Sequence, residues 1–207
     1  MNLANKLTIA RMCLVPFFIL FMELGGFFNT IIALAIFCAA SITDFFDGHV
    51  ARKQKTITSL GIFLDPLADK LLISSAFICF VSITYLGISA WMVIAIISRE
   101  FLITGLRSIA AYKNVIIPAD KSGKFKTTSQ IIVIITVLVI VIINEAFNKY
   151  FGMPIEFFRF YSLGLYSYIV IIMEKIPYWF TFFAVIFTIF SGVKYAFNYK
   201  NLLSKDK

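Results

Sequence analysis

The sequence predicts an all-α integral membrane protein, a bundle of six transmembrane helices with both termini in the cytosol. Three observations carry this expectation. Of 207 residues, 60% are hydrophobic and only 14% charged, with a mean hydropathy of +0.91, far from the composition of a soluble domain. The uncharged stretches Leu24 to Thr43, Leu71 to Ser98, Thr127 to Asn144 and Ile176 to Val193 approach or exceed the ~20 residues that cross ~30 Å of hydrocarbon as a helix. Finally, of the 19 Lys and Arg residues, only Lys149, Arg159 and Lys175 fall in loops opposite the N-terminus under six spans. Cytoplasmic loops collect such an excess, which sets the orientation.

Spans are expected near 7–24, 30–53, 62–84, 89–111, 125–144 and 177–196. The first has the basic start and apolar run of a signal peptide, but no small-residue cleavage site precedes Glu23, so it is read as a retained helix. The long stretch Leu71 to Ser98 is split at Tyr85, Gly87 and Ser89, where a turn fits. Trp91 then sits at an interface and, with Tyr178 and Trp179, is expected as an outer anchor. Residues 146–176 are expected to form an outer loop. Within it the uncharged segment Phe160 to Met173 suits a short interfacial or re-entrant element better than a crossing. A seventh span there would send Lys194, Lys200, Lys205 and Lys207 outside. Residues 1–207 are thus read as a single membrane domain, without internal repeats or a soluble second unit.

The net charge of +8 fits basic loops facing anionic membrane lipids, and it does not imply nucleic acid. Cys13, Cys38 and Cys79 are scattered through apolar helices without ligand spacing and read as small core residues.

The chemistry concentrates between Asp44 and Asp69. Ionised side chains beside a bilayer are costly, so they pair, bind a metal or line a watery cavity. Asp44 and Asp47 are three residues apart with Ala51 four further on, one face of the second helix; Asp65 and Asp69, four apart, share a face of the third. The short connection Lys53 to Leu60 makes these helices antiparallel neighbours. At about 1.5 Å per residue, Asp44 lies about 12 Å in from Arg52, and Asp69 about 12 Å in from Gly61. Both carboxylate pairs therefore sit at similar depth near the cytosolic face.

Four oxygen donors without Cys or His suit a hard cation, Mg²⁺ or Mn²⁺, with phosphate completing the coordination. Two such ions shared by these aspartates would serve a phosphoryl displacement. Gly48 and Ala51 let a ligand lie against the second helix, and Arg52 offers a fork for phosphate. A buried charge network in a transporter bundle would account for the acids but not for the glycines and alanine. A divalent cation channel or carrier could use the same carboxylates, but it has no use for Arg52. Intramembrane prenyltransferases place their acidic clusters far apart in a longer chain. His49, the one histidine, is expected to face the loop or a neighbour.

The run Asp44, Asp47, Gly48, Ala51, Arg52, Gly61, Asp65, Asp69 resembles the signature Asp-x2-Asp-Gly-x2-Ala-Arg-x8-Gly-x3-Asp-x3-Asp of the CDP-alcohol phosphotransferase family, with all eight positions matched. A chance match is on the order of 10⁻¹⁰ per starting point at ~1 in 20 per position. The resemblance implies a six-helix bundle in the bacterial cytoplasmic membrane, usually a homodimer. It also implies two divalent cations, Mg²⁺ or Mn²⁺, held by Asp44, Asp47, Asp65 and Asp69, with Asp69 the catalytic base. Asp47, Gly48, Ala51, Arg52 and Gly61 would line the site of the CDP-activated lipid, joined by Thr8 from the first helix.

Outside the signature, NLANKLTIARMCLVP at 2–16, LDPLADK at 64–70, REFLITGLR at 99–107 and GKFKTTSQ at 123–130 are similar to one branch of that family. Its members join CDP-diacylglycerol to sn-glycerol 3-phosphate and release CMP. A branch of the cardiolipin synthase type would keep the same eight residues and differ in acceptor. Glycerol 3-phosphate, a dianion, needs cations of its own. Arg99 and Arg107, eight apart and close to one face of the fourth helix, with Lys124 and Lys126 opening the fifth, are the expected clamp. Glu100 is read as a partner for an arginine rather than as a catalyst.

Overall fold

Paired glycines end the first apolar run. Gly25 and Gly26 adopt φ of +60° and +81°, a conformation that L side chains rarely enter. They separate helix α1 (Leu3–Leu24) from α2 (Phe27–Gln54). Asn29 Nδ2 donates to Gly25 O at 2.8 Å and Thr30 Oγ1 to Gly26 O at 3.0 Å, tying the first turn of α2 to the bend. The structure, a computed structural model, describes residues 3–54, 59–112, 121–152 and 165–203, with side chains at 8–43, 67–68, 70–108, 110, 126–152, 171, 173, 175–195 and 197.

Helix α3 (Ser59–Ser82) and helix α4 (Ala90–Tyr112) are separated by one 3-10 turn, Thr84–Leu86. Gly87 closes it at φ +64°, its N–H donating to Thr84 O at 3.2 Å. The long uncharged stretch thus breaks where Tyr85, Gly87 and Ser89 predict. Helix α5 (Lys121–Phe151) ends on Gly152, at φ +68°, whose N–H bonds Asn148 O at 3.1 Å. Helix α6 (Leu165–Leu203) carries Pro177 in its interior. All regular structure among the described residues is helical.

Around the sixth helix the helices run past the expected membrane spans, while the apolar segment Lys175–Tyr195 lies close to the expected span 177–196. Helix α5 continues past 144 to Phe151, and α6 starts at Leu165 rather than 177, so helix occupies both ends of the expected outer loop 146–176. The interfacial segment Phe160 to Met173 becomes, from Leu165 onward, the first turns of α6. The physical reason is that charges such as Glu145 and Glu174 bound the apolar window, whereas helical hydrogen bonds close internally and run on beyond it. At 39 residues, α6 is about 58 Å long, roughly twice the hydrocarbon thickness. Two helical segments are long and apolar enough to cross a membrane, Lys126–Phe151 and Lys175–Tyr195; Phe27–Thr43 and Lys70–Ser82 are shorter apolar stretches.

Helix α1 packs along both α2 and α3, α4 lies on α3 and α6, and α5 bridges α2 and α6. Helices α2 and α3 meet each other, with α1 packed against both. Small residues permit the close approach: Ala33 and Ala40 flank Phe37 on α2, whose ring meets Phe18 of α1 at 6.1 Å. Phe77, Phe80, Met92, Ile96, Ile134 and Leu138 fill the centre.

The bundle's polarity is that of a membrane protein. Thr8, Arg11, Lys126, Gln130, Asn144, Thr188 and Ser191 are buried, while Phe17, Phe28, Ile94, Leu102, Phe187 and Phe190 face outward. Water would punish that arrangement, and lipid favours it. Trp91, Tyr178 and Trp179 gather at one end, with Phe182 within 6.4 Å of each ring.

Candidate functional site

Asp44, Asp47, Gly48, Ala51 and Arg52 lie on the last turns of α2, and Gly61, Asp65 and Asp69 on the first half of α3. Asp44 and Asp47 are three positions apart on α2, and Asp65 and Asp69 four apart on α3, spacings that bring two positions to one face of a helix. The side chains of 44–66 and of Asp69 lie outside the described residues, as do those of Lys124 and His49. Thr8 is described and is buried in the packed stripe of α1 that continues through Arg11, Val15 and Phe18.

A described polar cluster is built by α3, α4, α5 and α6. Trp91 meets Phe182, Arg99 meets Ser191 and Arg107 meets Tyr195, so α4 and α6 run parallel. Arg99 and Arg107 consequently do share the α6-facing side of α4. Arg99 Nη2 donates to Ser191 Oγ at 2.8 Å. Arg107 Nε donates to the Tyr195 hydroxyl at 3.1 Å, and its guanidinium carbon stands 5.6 Å from that ring's centroid.

Lys126 of α5 reaches the Glu100 carboxylate of α4, which also accepts from Gln130 Nε2 at 3.5 Å. Arg99 Nη1 lies 3.9 Å from the same carboxylate. Glu100 is expected to partner an arginine; Arg99 is within reach of it, and Lys126 is the closer partner. Lys126 is 4% exposed and Gln130 1%, and a charge so enclosed persists only with a counter-ion and hydrogen bonds around it.

Lys70 of α3 donates to Thr104 Oγ1, which in turn donates to the Glu100 carbonyl at 2.8 Å. Asp69 immediately precedes Lys70, so its backbone stands one Cα step, about 3.8 Å, from a residue that reaches into the cluster. Lys70, Arg99, Arg107 and Lys126 gather with Glu100 in this cluster, and arginine forks suit the oxygens of a phosphate-bearing ligand.

Lys70, Thr104, Gln130, Ser191 and Tyr195 were not singled out from the sequence. Lys70 lies within LDPLADK, and the Ser191-Gly192 step interrupts a Phe-rich run, a mark of close helix approach. Pairing between helices about ninety positions apart leaves no local trace.

A profile of the CDP-alcohol phosphatidyltransferase family matches residues 1–190. The CDP-diacylglycerol–glycerol-3-phosphate 3-phosphatidyltransferase of Bacillus subtilis is 44% identical over 149 residues, 66% of this chain and 76% of that protein. The proteins of the same name from Rickettsia bellii, 40% identical over 129 residues, and Escherichia coli, 38% over 136, are covered over 70% and 73% of their lengths, with 62% and 63% of this chain aligned.

Proposed function

The chain belongs to the CDP-alcohol phosphatidyltransferase family, and on that premise we propose that it is a phosphatidylglycerophosphate synthase. It transfers the phosphatidyl group of CDP-diacylglycerol to sn-glycerol 3-phosphate, giving phosphatidylglycerophosphate and CMP, a step of anionic phospholipid synthesis. The observation that supports this is the contact of Lys70, the residue after Asp69, with Thr104 of α4, the helix that carries Arg99 and Arg107. The names of the relatives agree with that acceptor.

Asp44, Asp47, Asp65 and Asp69 form an all-carboxylate donor set that fits two Mg²⁺ or Mn²⁺ ions. When bound, these ions neutralise charge on the pyrophosphate of the CDP-lipid. Thr8, Asp47, Gly48, Ala51, Arg52 and Gly61 line the nucleotide side. Arg99, Arg107, Lys124 and Lys126 hold the phosphate of glycerol 3-phosphate, and Glu100 holds the Lys126 side chain in place. Asp69 takes the proton of the acceptor hydroxyl as its oxygen attacks the β-phosphorus. The bond from that phosphorus to the bridging oxygen breaks, and CMP departs with the electron pair. The six helices cross a bacterial cytoplasmic membrane with the aspartates on the cytosolic side and Trp91 and Trp179 at the outer interface, residues 1–207 acting as one membrane domain, in a homodimer.

An acceptor panel with purified protein in detergent, reading CMP release from CDP-diacylglycerol, tests the assignment. Turnover with glycerol 3-phosphate is expected; turnover only with another alcohol would refute it.

A further inference from the structure

Arg99 occupies a seat made by α6 rather than by its own helix. A Cβ built on Gly192 would stand 2.9 Å from Arg99 Cγ, 3.7 Å from Nε and 3.9 Å from Cδ. The clash falls near the root of the side chain, so swinging the guanidinium tip aside would not relieve it. Either Arg99 changes its first torsion or α6 retreats from α4. Retreat is opposed on both sides of the contact, by Trp91 against Phe182 and by Arg107 on Tyr195. Next to the gap left by Gly192, Ser191 accepts from Nη2 at 2.8 Å and fixes the plane of the fork. In this pose Arg99 Nε is buried without a hydrogen-bond partner among the described residues. A donor stranded in this way indicates an orientation imposed by its surroundings rather than chosen by the arginine.

We propose that Gly192 and Ser191 are positioning residues that aim Arg99 at the acceptor phosphate, so that the last helix sets affinity for glycerol 3-phosphate without touching it. The idea rests on the acceptor role given to Arg99 above. A phosphate held by a planar fork is sensitive to the fork's direction, and a displaced arginine keeps its charge but loses paired oxygen contacts. The consequence is selective: affinity for the acceptor falls, while the CDP-lipid, bound from α2 and α3, is spared.

A double-mutant cycle in the full-length protein tests this. Gly192→Ala is expected to raise KM for glycerol 3-phosphate about tenfold and to leave KM for CDP-diacylglycerol within about twofold. On an Arg99→Ala background, where no Cγ remains to collide with, the same change should add less than about twofold. Equal factors on both backgrounds, equal effects on both substrates, or an unchanged acceptor KM would overturn the proposal. Should Gly192→Ala fail to accumulate folded, Ser191→Ala, expected to raise the acceptor KM about threefold and only while Arg99 is present, decides on the same criteria. Wild-type protein that releases CMP only with a different acceptor would refute the activity instead, and the cycle would then be read on that acceptor's KM.

Discussion

Arg107 and Tyr195 are joined twice, by a 3.1 Å hydrogen bond from Nε to the phenolic oxygen and by a guanidinium 5.6 Å from the ring centroid. Tyr195 thereby orients an arginine that is itself more exposed than Arg99. Removing only the hydroxyl, Tyr195→Phe, should raise KM for glycerol 3-phosphate about threefold with kcat little changed, because the ring contact survives. Arg107→Ala should raise that KM by about tenfold or more while sparing the CDP-lipid. Equal effects on both substrates in steady-state kinetics would dismantle the clamp.

Glu100 and Lys126 bear on stability as well as on binding. Glu100→Gln leaves Lys126 enclosed with no full counter-charge, a change expected to cost about 3 kcal/mol. Thermal unfolding in detergent should report a lowered midpoint, and the pair Glu100→Gln with Lys126→Met should recover much of it without recovering acceptor affinity. A single variant as stable as wild type would mean that the pair contributes nothing to the fold.

Gly87 offers a test of the turn between α3 and α4. Its φ of +64° penalises any side chain, but among the described residues an added Cβ would meet only Tyr178, at 4.0 Å. Gly87→Ala should therefore cost about 1 kcal/mol, from backbone conformation alone, and leave both KM values unchanged. A loss of several times that size would indicate a packing role for this turn.

Sequence and structure part company in an instructive way. The break at Gly87 was legible because glycine and serine interrupt an apolar run, and the shared face of Arg99 and Arg107 followed from helical spacing. The start of α6 at Leu165 was not, since charge marks the edge of hydrocarbon and a helix is free to continue beyond it. Lys126 was legible as a basic residue opening a helix, yet Glu100 was assigned to an arginine alone, because nothing local reveals a side-chain contact between residues 26 positions apart. Ser191, Gly192 and Tyr195 escaped notice for the same reason: their meaning lies in α4, on a distant part of the chain. The four aspartates stood out by their spacing alone.

Asp69 is the proposed base, which separates its role from that of a nucleotide ligand. Asp69→Asn should lower kcat by at least about a hundredfold, the usual scale for losing a positioned proton acceptor, while binding of CDP-diacylglycerol largely survives. Retained turnover would remove Asp69 from the chemistry.

The most direct test of the central claim, four aspartates holding two divalent cations for phosphatidyl transfer, is CMP release from CDP-diacylglycerol and glycerol 3-phosphate by chelated protein to which metal is returned. Activity is expected to vanish on chelation, to return with Mg²⁺ or Mn²⁺, and to stay absent in Asp44→Asn at any concentration of added ion. Undiminished release after all divalent ions are stripped, or full activity of Asp44→Asn, would contradict it.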